Sequence, residues 1–386
     1  MSDDKLPVPA KKSATELVIE PQAPARTEVM ARWEIASGQI EQALSQTLVV
    51  AFLGSASSGK DSAIKALFGL DFGEIDPIPG STAEVRVAPV DRDKHVLVVN
   101  APGFGDVRKE VDQKAREVLQ QVDIAVYLLN ADGGATIDER RDLDAIRALG
   151  KPTLVCINKI DLIREHERPS FVEATLAQLQ VDPKDAIITA FDPLPALSPE
   201  PIGVEDVVKW IHHQLSTNGK DLLFAKTLRN KALACQAVIR TAARRSAMAG
   251  AIPMIGVDAT AVTAIQVKLI ADIAAVYGRR MDNDMALFIL GEILAGGSKG
   301  FIRWAMSALK TAGWIPGGQV AHIATSALGA TIAGATTYGV GRAAIVFMEK
   351  GAEITGADLR AAFDAGAVQW RDVSNQEDGW QAPDDQ

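Results

Sequence analysis

Gly54 and Gly59, with Lys60 directly after, stand as G-x-x-x-x-G-K in the run Gly54-Ser55-Ala56-Ser57-Ser58-Gly59-Lys60-Asp61-Ser62. Glycines at that spacing let a loop curl so that backbone N–H groups converge, and the lysine adds an ammonium. Together they form a cradle for a polyphosphate at a helix N-terminus. A second run, Asn158-Lys159-Ile160-Asp161, is followed by Thr189-Ala190. Taken alone, Asn and Asp at that spacing also serve as helix caps, and Thr82 alone is a loop threonine. Joint occurrence in chain order is what gives these residues weight.

The elements that must position them are legible on either side. Leu48 to Leu53 is apolar without alternation, the pattern of a strand covered on both faces, and Ser62 to Phe68 continues as the helix that the loop caps. Strands are expected at Val85–Val90 and His95–Val99, joined as a hairpin, then at Asp123–Leu129, Thr153–Ile157 and Ala186–Ile188. Helices are expected at Val29–Gln46, Glu110–Gln121, Asp138–Leu149, Phe171–Leu179 and Val204–Leu215. Strands alternating with helices imply an α/β unit with a mostly parallel sheet. Each motif then falls at the carboxyl end of a strand, where such sheets bind ligands.

In this order, the phosphate loop, Thr82 in Pro79-Gly80-Ser81-Thr82, Pro102-Gly103, N-K-I-D and Thr189-Ala190 resemble the Era-like branch of the small-GTPase superfamily. The resemblance implies a P-loop GTPase fold binding GTP or GDP with Mg2+. It implies that Asp161 reads guanine N1–H and the exocyclic amine, that Asn158 braces the base and that Lys159 lies along the ring. Thr189 and Ala190 would meet guanine O6 through the backbone, Thr82 would close over Mg2+ and the terminal phosphate, and the Gly103 N–H would sense that phosphate. Lys60, Thr82 and Gly103 are the expected catalytic set.

Two positions depart from that family's pattern. Asp61 stands where the family has Ser or Thr, and Asn100 stands where it has Asp. One carboxylate is lost beside the metal and one gained elsewhere in its shell, leaving Asp61, Thr82 and Asn100 as the expected metal ligands. Phe104 occupies the place of a water-orienting Gln, a substitution common in the Era-like branch. Two readings stay open: a GTPase with an altered Mg2+ shell, and a weakly catalytic pseudo-GTPase acting as a recruiting module.

The 386 residues suffice for two domains, and a formal charge of -9 argues against nucleic acid as the partner. Cys156 and Cys235 are far apart in sequence, without a neighbouring ligand at metal spacing. The expected division is a disordered arm over 1–28, the nucleotide domain with its leading helix over 29–218, an all-α domain over 219–350, and a terminal helix with a disordered tail over 351–386. No stretch near the start has signal-peptide character, so a cytoplasmic chain is expected, with peripheral docking at the inner membrane face as an extension.

Seven Lys or Arg between Lys220 and Met248 face a single Asp221, either a solvated helix face or a surface for anionic lipid or an acidic protein partner. Apolar residues Val262, Ile265, Leu269, Ile273 and Val276 form a helical seam. About Leu222 to Met348 resembles the bacterial domain-of-unknown-function-697 family, which implies a helical, membrane-associated module. Thr311 to Gly341 lacks charge but is rich in Gly, Ala, Ser and Thr, which favours close helix packing over insertion into a bilayer. A homodimer is a further alternative.

Overall fold

The structure, a computed structural model, describes residues 26–72, 85–101, 120–251, 258–279, 288–289 and 320–377. Its sheet comprises β1 (Leu48–Leu53), β2 (Arg86–Pro89), β3 (Val96–Asn100), β4 (Ile124–Asn130), β5 (Thr153–Asn158) and β6 (Ala186–Ile188). The spatial order is β2-β3-β1-β4-β5-β6. Only β2 runs antiparallel, against β3. The expected hairpin and mostly parallel sheet are both present.

Alternate side chains of the central strands enter two cores. Val49, Ala51, Leu53, Tyr127, Leu129, Val155 and Ile157 pack under α3 (Ile137–Arg147) and α4 (Arg168–Leu179). Leu48, Val50, Phe52, Val98, Val126, Leu128 and Cys156 face the opposite side, against α2 (Lys60–Phe68) and α5 (Val204–Ser216). Both faces are covered, which is why β1 reads as an unbroken apolar run.

The second core does not stop at α5. It continues through α6 (Asp221–Thr227), α7 (Lys231–Gly250), α8 (Asp258–Val276), α9 (Val320–Lys350) and α10 (Gly356–Glu377). α9 packs along both α7 and α10, and α8 against α7. Small residues set that distance: a Cβ on Gly329 would stand 2.2 Å from the Gly250 carbonyl oxygen. Among the described residues no helix is long and apolar enough to cross a membrane. Within the uncharged stretch Ala333, Ala335, Thr337, Tyr338 and Val340 are buried.

Several expectations need correction. The leading helix α1 (Arg26–Leu44) starts within the expected arm and packs against α8 and α6, with Val29 and Ala36 buried; it joins the helical module although it precedes β1. The basic stretch is not one helix: Leu228 to Asn230 break it, and the Asn230 side chain accepts from Leu233 N to start α7. The expected disordered tail is helical as far as Glu377. Leu359, Phe363, Ala367, Trp370 and Val373 recur at three- and four-residue steps and are buried, with Trp370 5.8 Å from Tyr338 between ring centroids. Acidic composition obscured that stripe, and burial on α9 outweighs it.

Candidate functional site

The phosphate loop runs from the end of β1 into α2 along a path that demands glycine. Gly54 has φ 142° and a Cβ there would lie 2.3 Å from the Leu128 carbonyl oxygen. Gly59 has φ 95°, and a Cβ would lie 2.2 Å from Asn158 Nδ2. Ser57 also adopts the left-handed region at φ 61°. Ala56 and Ser57 are exposed, Ser55 is half-buried, and Ser58 is buried with its hydroxyl unpartnered. Lys60 Nζ donates to the Gly54 and Ser55 carbonyl oxygens, both at 2.9 Å, which closes the loop on itself. Ser62 lies in the first turn of α2.

Asn158, at the end of β5, ties three segments together. Its Nδ2 donates to the Ser58 carbonyl at 2.8 Å, while Oδ1 accepts from Thr189 Oγ1 at 3.2 Å and from Phe191 N at 3.3 Å. The expected brace is therefore directed at the phosphate loop and at the segment after β6. Lys159 turns the chain with φ 62°, and Ile160 N donates to the Thr189 carbonyl. Asp161 is 8% exposed and its Oδ2 accepts from Leu194 N at 3.2 Å. Ala190 exchanges backbone hydrogen bonds with Ile202, and Gly203 must follow as glycine because a Cβ would meet the Ile188 carbonyl at 2.1 Å.

The two departures from the family pattern are in contact. Asn100 closes β3 and Asp61 opens α2, and Asn100 Nδ2 donates to Asp61 Oδ1. Asp61 offers a carboxylate oxygen of the kind Mg2+ takes, whereas the Asn100 amide turns its N–H, not its oxygen, toward that carboxylate. Thr82, Gly103 and Phe104 lie outside the described residues.

Sequence reasoning missed Glu139. Its carboxylate completes a capping box with Thr136 at the start of α3 and lies 3.5 Å from Ser55 Oγ. The signal was present as Thr136-Ile137-Asp138-Glu139. Behind it, burial together with the Asp142 and Glu139 carboxylates raises the Tyr127 phenol well above its ordinary value.

Residues 49–159 match the family described as "50S ribosome-binding GTPase", and residues 216–366 match "Domain of unknown function (DUF697)". "GTPase Der" of Citrifermentans bemidjiense is 27% identical over 119 residues, 29% of this chain and 27% of that protein. "tRNA modification GTPase MnmE" of Desulforamulus reducens is 29% identical over 133 residues, 33% of this chain and 28% of that protein. The chain thus spans about a quarter of the length of these curated relatives. A solved structure of "LeoA bacterial dynamin GTPase from ETEC" shares 18% identity, with a TM-score of 0.35 over 60% of this chain and 50% of that one.

Proposed function

We propose that this chain, a P-loop GTPase domain followed by a DUF697 domain, binds GTP and GDP, hydrolyses GTP, and uses its nucleotide state to control the helical module. The single observation behind this reading is Asn158, which joins the phosphate loop at Ser58 to the Thr189 segment beside the buried Asp161. Phosphate and base recognition are thereby held in one rigid frame.

In this reading the inward N–H groups of Gly54 to Ser62 and the Lys60 ammonium receive the phosphates. The Asp161 carboxylate makes two charge-assisted bonds to guanine that adenine cannot reciprocate. Thr189 and Ala190 would flank the base, although their own N–H groups donate to the Ile157 and Ile202 carbonyl oxygens, and Thr82 and Gly103 would serve the terminal phosphate. Asp61 and Asn100, with Thr82, would hold Mg2+, which when bound neutralises phosphate charge. Lys60, drawn off its carbonyl partners by the phosphates, stabilises charge developing on the transferred group.

The altered pair favours a second reading. The Asp61 carboxylate, held by Asn100, meets incoming phosphates as a like charge unless a cation intervenes. A site of that kind can bind nucleotide and turn it over slowly, leaving the chain a recruiting module. Guanine-nucleotide content, GTP-over-ATP selectivity and single-turnover hydrolysis with and without Mg2+ test both readings. Equal affinity for ATP and GTP would sink the guanine assignment, and binding without turnover would select the second reading.

For the module, a protein partner is favoured over an anionic membrane because the basic stretch is partly spent inside the molecule. Lys220 pairs with Asp123 at 2.6 Å and Arg240 with Glu205 at 2.9 Å, while Arg229 and Arg245 are exposed. Vesicle flotation at low and high salt tests this, and salt-sensitive flotation would restore the membrane.

A further inference from the structure

The two elements that flank the phosphate loop both lead to the helical module. β1 enters the loop and α2 leaves it, and Phe52 of β1 packs edge-to-face on Phe68 of α2 with ring centroids 6.2 Å apart. Phe68 in turn packs edge-to-face on Phe224 of α6, at 6.1 Å. One residue earlier the connection is polar: the Leu67 carbonyl at the end of α2 accepts from Arg229 N, in the α6–α7 connection, at 2.8 Å. At the start of β1, Asp123 Oδ2 accepts from Val49 N at 3.0 Å while its Oδ1 accepts from Lys220 Nζ at 2.6 Å.

α2 is short. Its nine residues span about 13 Å at 1.5 Å per residue, so Lys60 and Asp61 at one end are rigidly related to Leu67 and Phe68 at the other. The covalent links between the two parts also lie side by side, the Gln46 side chain after α1 standing beside Gly219 before α6. The module therefore meets the sheet domain at the base of the sheet, along α5, and at the far end of the helix that carries Lys60.

We infer that the helical module and the phosphate loop are thermodynamically linked through α2: docking of Phe224 and Arg229 on the end of α2 holds Lys60 and Asp61 in their binding geometry, and nucleotide binding in turn tightens that docking. Phe224 is a positioning residue, acting on the site through Phe68. Coupling of this kind is reciprocal, each event changing the other by the same factor. The inference rests on the nucleotide-binding reading above and adds the route by which that site is regulated.

The test uses the full chain. Amide hydrogen exchange at Arg229 is followed with and without GDP and Mg2+, and GDP affinity is measured for the unsubstituted chain, Phe224→Ala, the milder Phe224→Leu, and Thr337→Val. Thr337 lies in the module core, bonded to Ser246 and remote in sequence from the α2 contact, so it reports general loosening of the module. The expected result is at least tenfold slower exchange at Arg229 on loading. GDP affinity should weaken about five- to fiftyfold for Phe224→Ala and less for Phe224→Leu, with Thr337→Val within about twofold. Normal GDP binding with unchanged exchange at Arg229 overturns the inference while leaving the function intact. Equal losses in Thr337→Val and Phe224→Leu also overturn it, as a stability effect. No GDP binding by the unsubstituted chain overturns the functional reading, and the inference falls with it.

Discussion

Asn100 Nδ2 donates to Asp61 Oδ1 across 2.5 Å, joining the end of β3 to the first turn of α2. The two residues in which this chain departs from the Era-like pattern thus share one hydrogen bond. A charged acceptor makes it a strong one, and neither residue can change without altering the other's environment.

The pair should behave as a coupled unit. Asp61→Ser removes the acceptor for a buried amide, and Asn100→Asp places two carboxylates in contact, so each single substitution should bind Mg2+ and GTP less well than the double substitution. An interaction free energy of about 1 to 3 kcal/mol is expected in the four-variant cycle. Mg2+-dependent GTP affinity and single-turnover rates measure it. Additive effects would indicate independent drift and a decaying site.

Base selectivity should follow Asp161. Asp161→Asn exchanges an acceptor for a donor, so GTP should weaken while xanthosine triphosphate gains, shifting their affinity ratio by about tenfold or more for each charge-assisted bond at about 1.5 to 3 kcal/mol. Competition binding with both nucleotides reads this ratio, and an unchanged ratio would place the base elsewhere.

Asn158→Ala removes one donor and one acceptor from a buried junction. The Ser58 carbonyl and the Phe191 N–H would lose their partner, at about 1 to 3 kcal/mol for each group left unsatisfied. Both denaturant stability and nucleotide affinity should fall. A variant that loses affinity at full stability would make Asn158 a base contact only.

The interface between α5 and the module should be acid-sensitive. His212 is buried, its Nε2 lacks a hydrogen-bond partner, Asp221 Oδ2 lies at 3.9 Å and Thr241 Oγ1 is 3.3 Å from Nδ1. Burial pushes the imidazole down to about 4, with Asp221 opposing that shift and Arg245 and His213 adding to it. An unfolded chain takes up this proton near pH 6.5, so between the two values the unfolded state binds more protons and stability falls with acid. The contribution is complete above about pH 6.5 and decreases by about 3 kcal/mol as pH falls to about 4. Unfolding curves of the unsubstituted chain and His212→Gln across that window should diverge, and parallel curves would refute the assignment.

Trp370→Ala should cost about 3 to 5 kcal/mol, because the indole is buried against Tyr338 and Gly334. Chemical denaturation measures it. A loss below about 1 kcal/mol would mean that this end of α10 is not docked.

What the sequence determined by itself was local. The unbroken run of β1 and the glycines of the phosphate loop are dictated by backbone sterics or by alternation over a few residues. The strand series followed from those patterns, and residues 54–62, 158–161 and 189–190 were visible because their spacing is short. Tertiary structure decided what depends on distant partners. α1 could not be assigned to the helical module from its sequence, since its apolar face fits any complementary surface, and in the fold it packs against α8 and α6. Nor could Asp61 and Asn100 be known to touch, or Asn158 to hold the Ser58 carbonyl, because 39 and 100 residues of chain separate those pairs. Two ion pairs of the basic stretch were hidden for the same reason: a charge seen in sequence has no partner until folding brings Asp123 to Lys220 and Glu205 to Arg240.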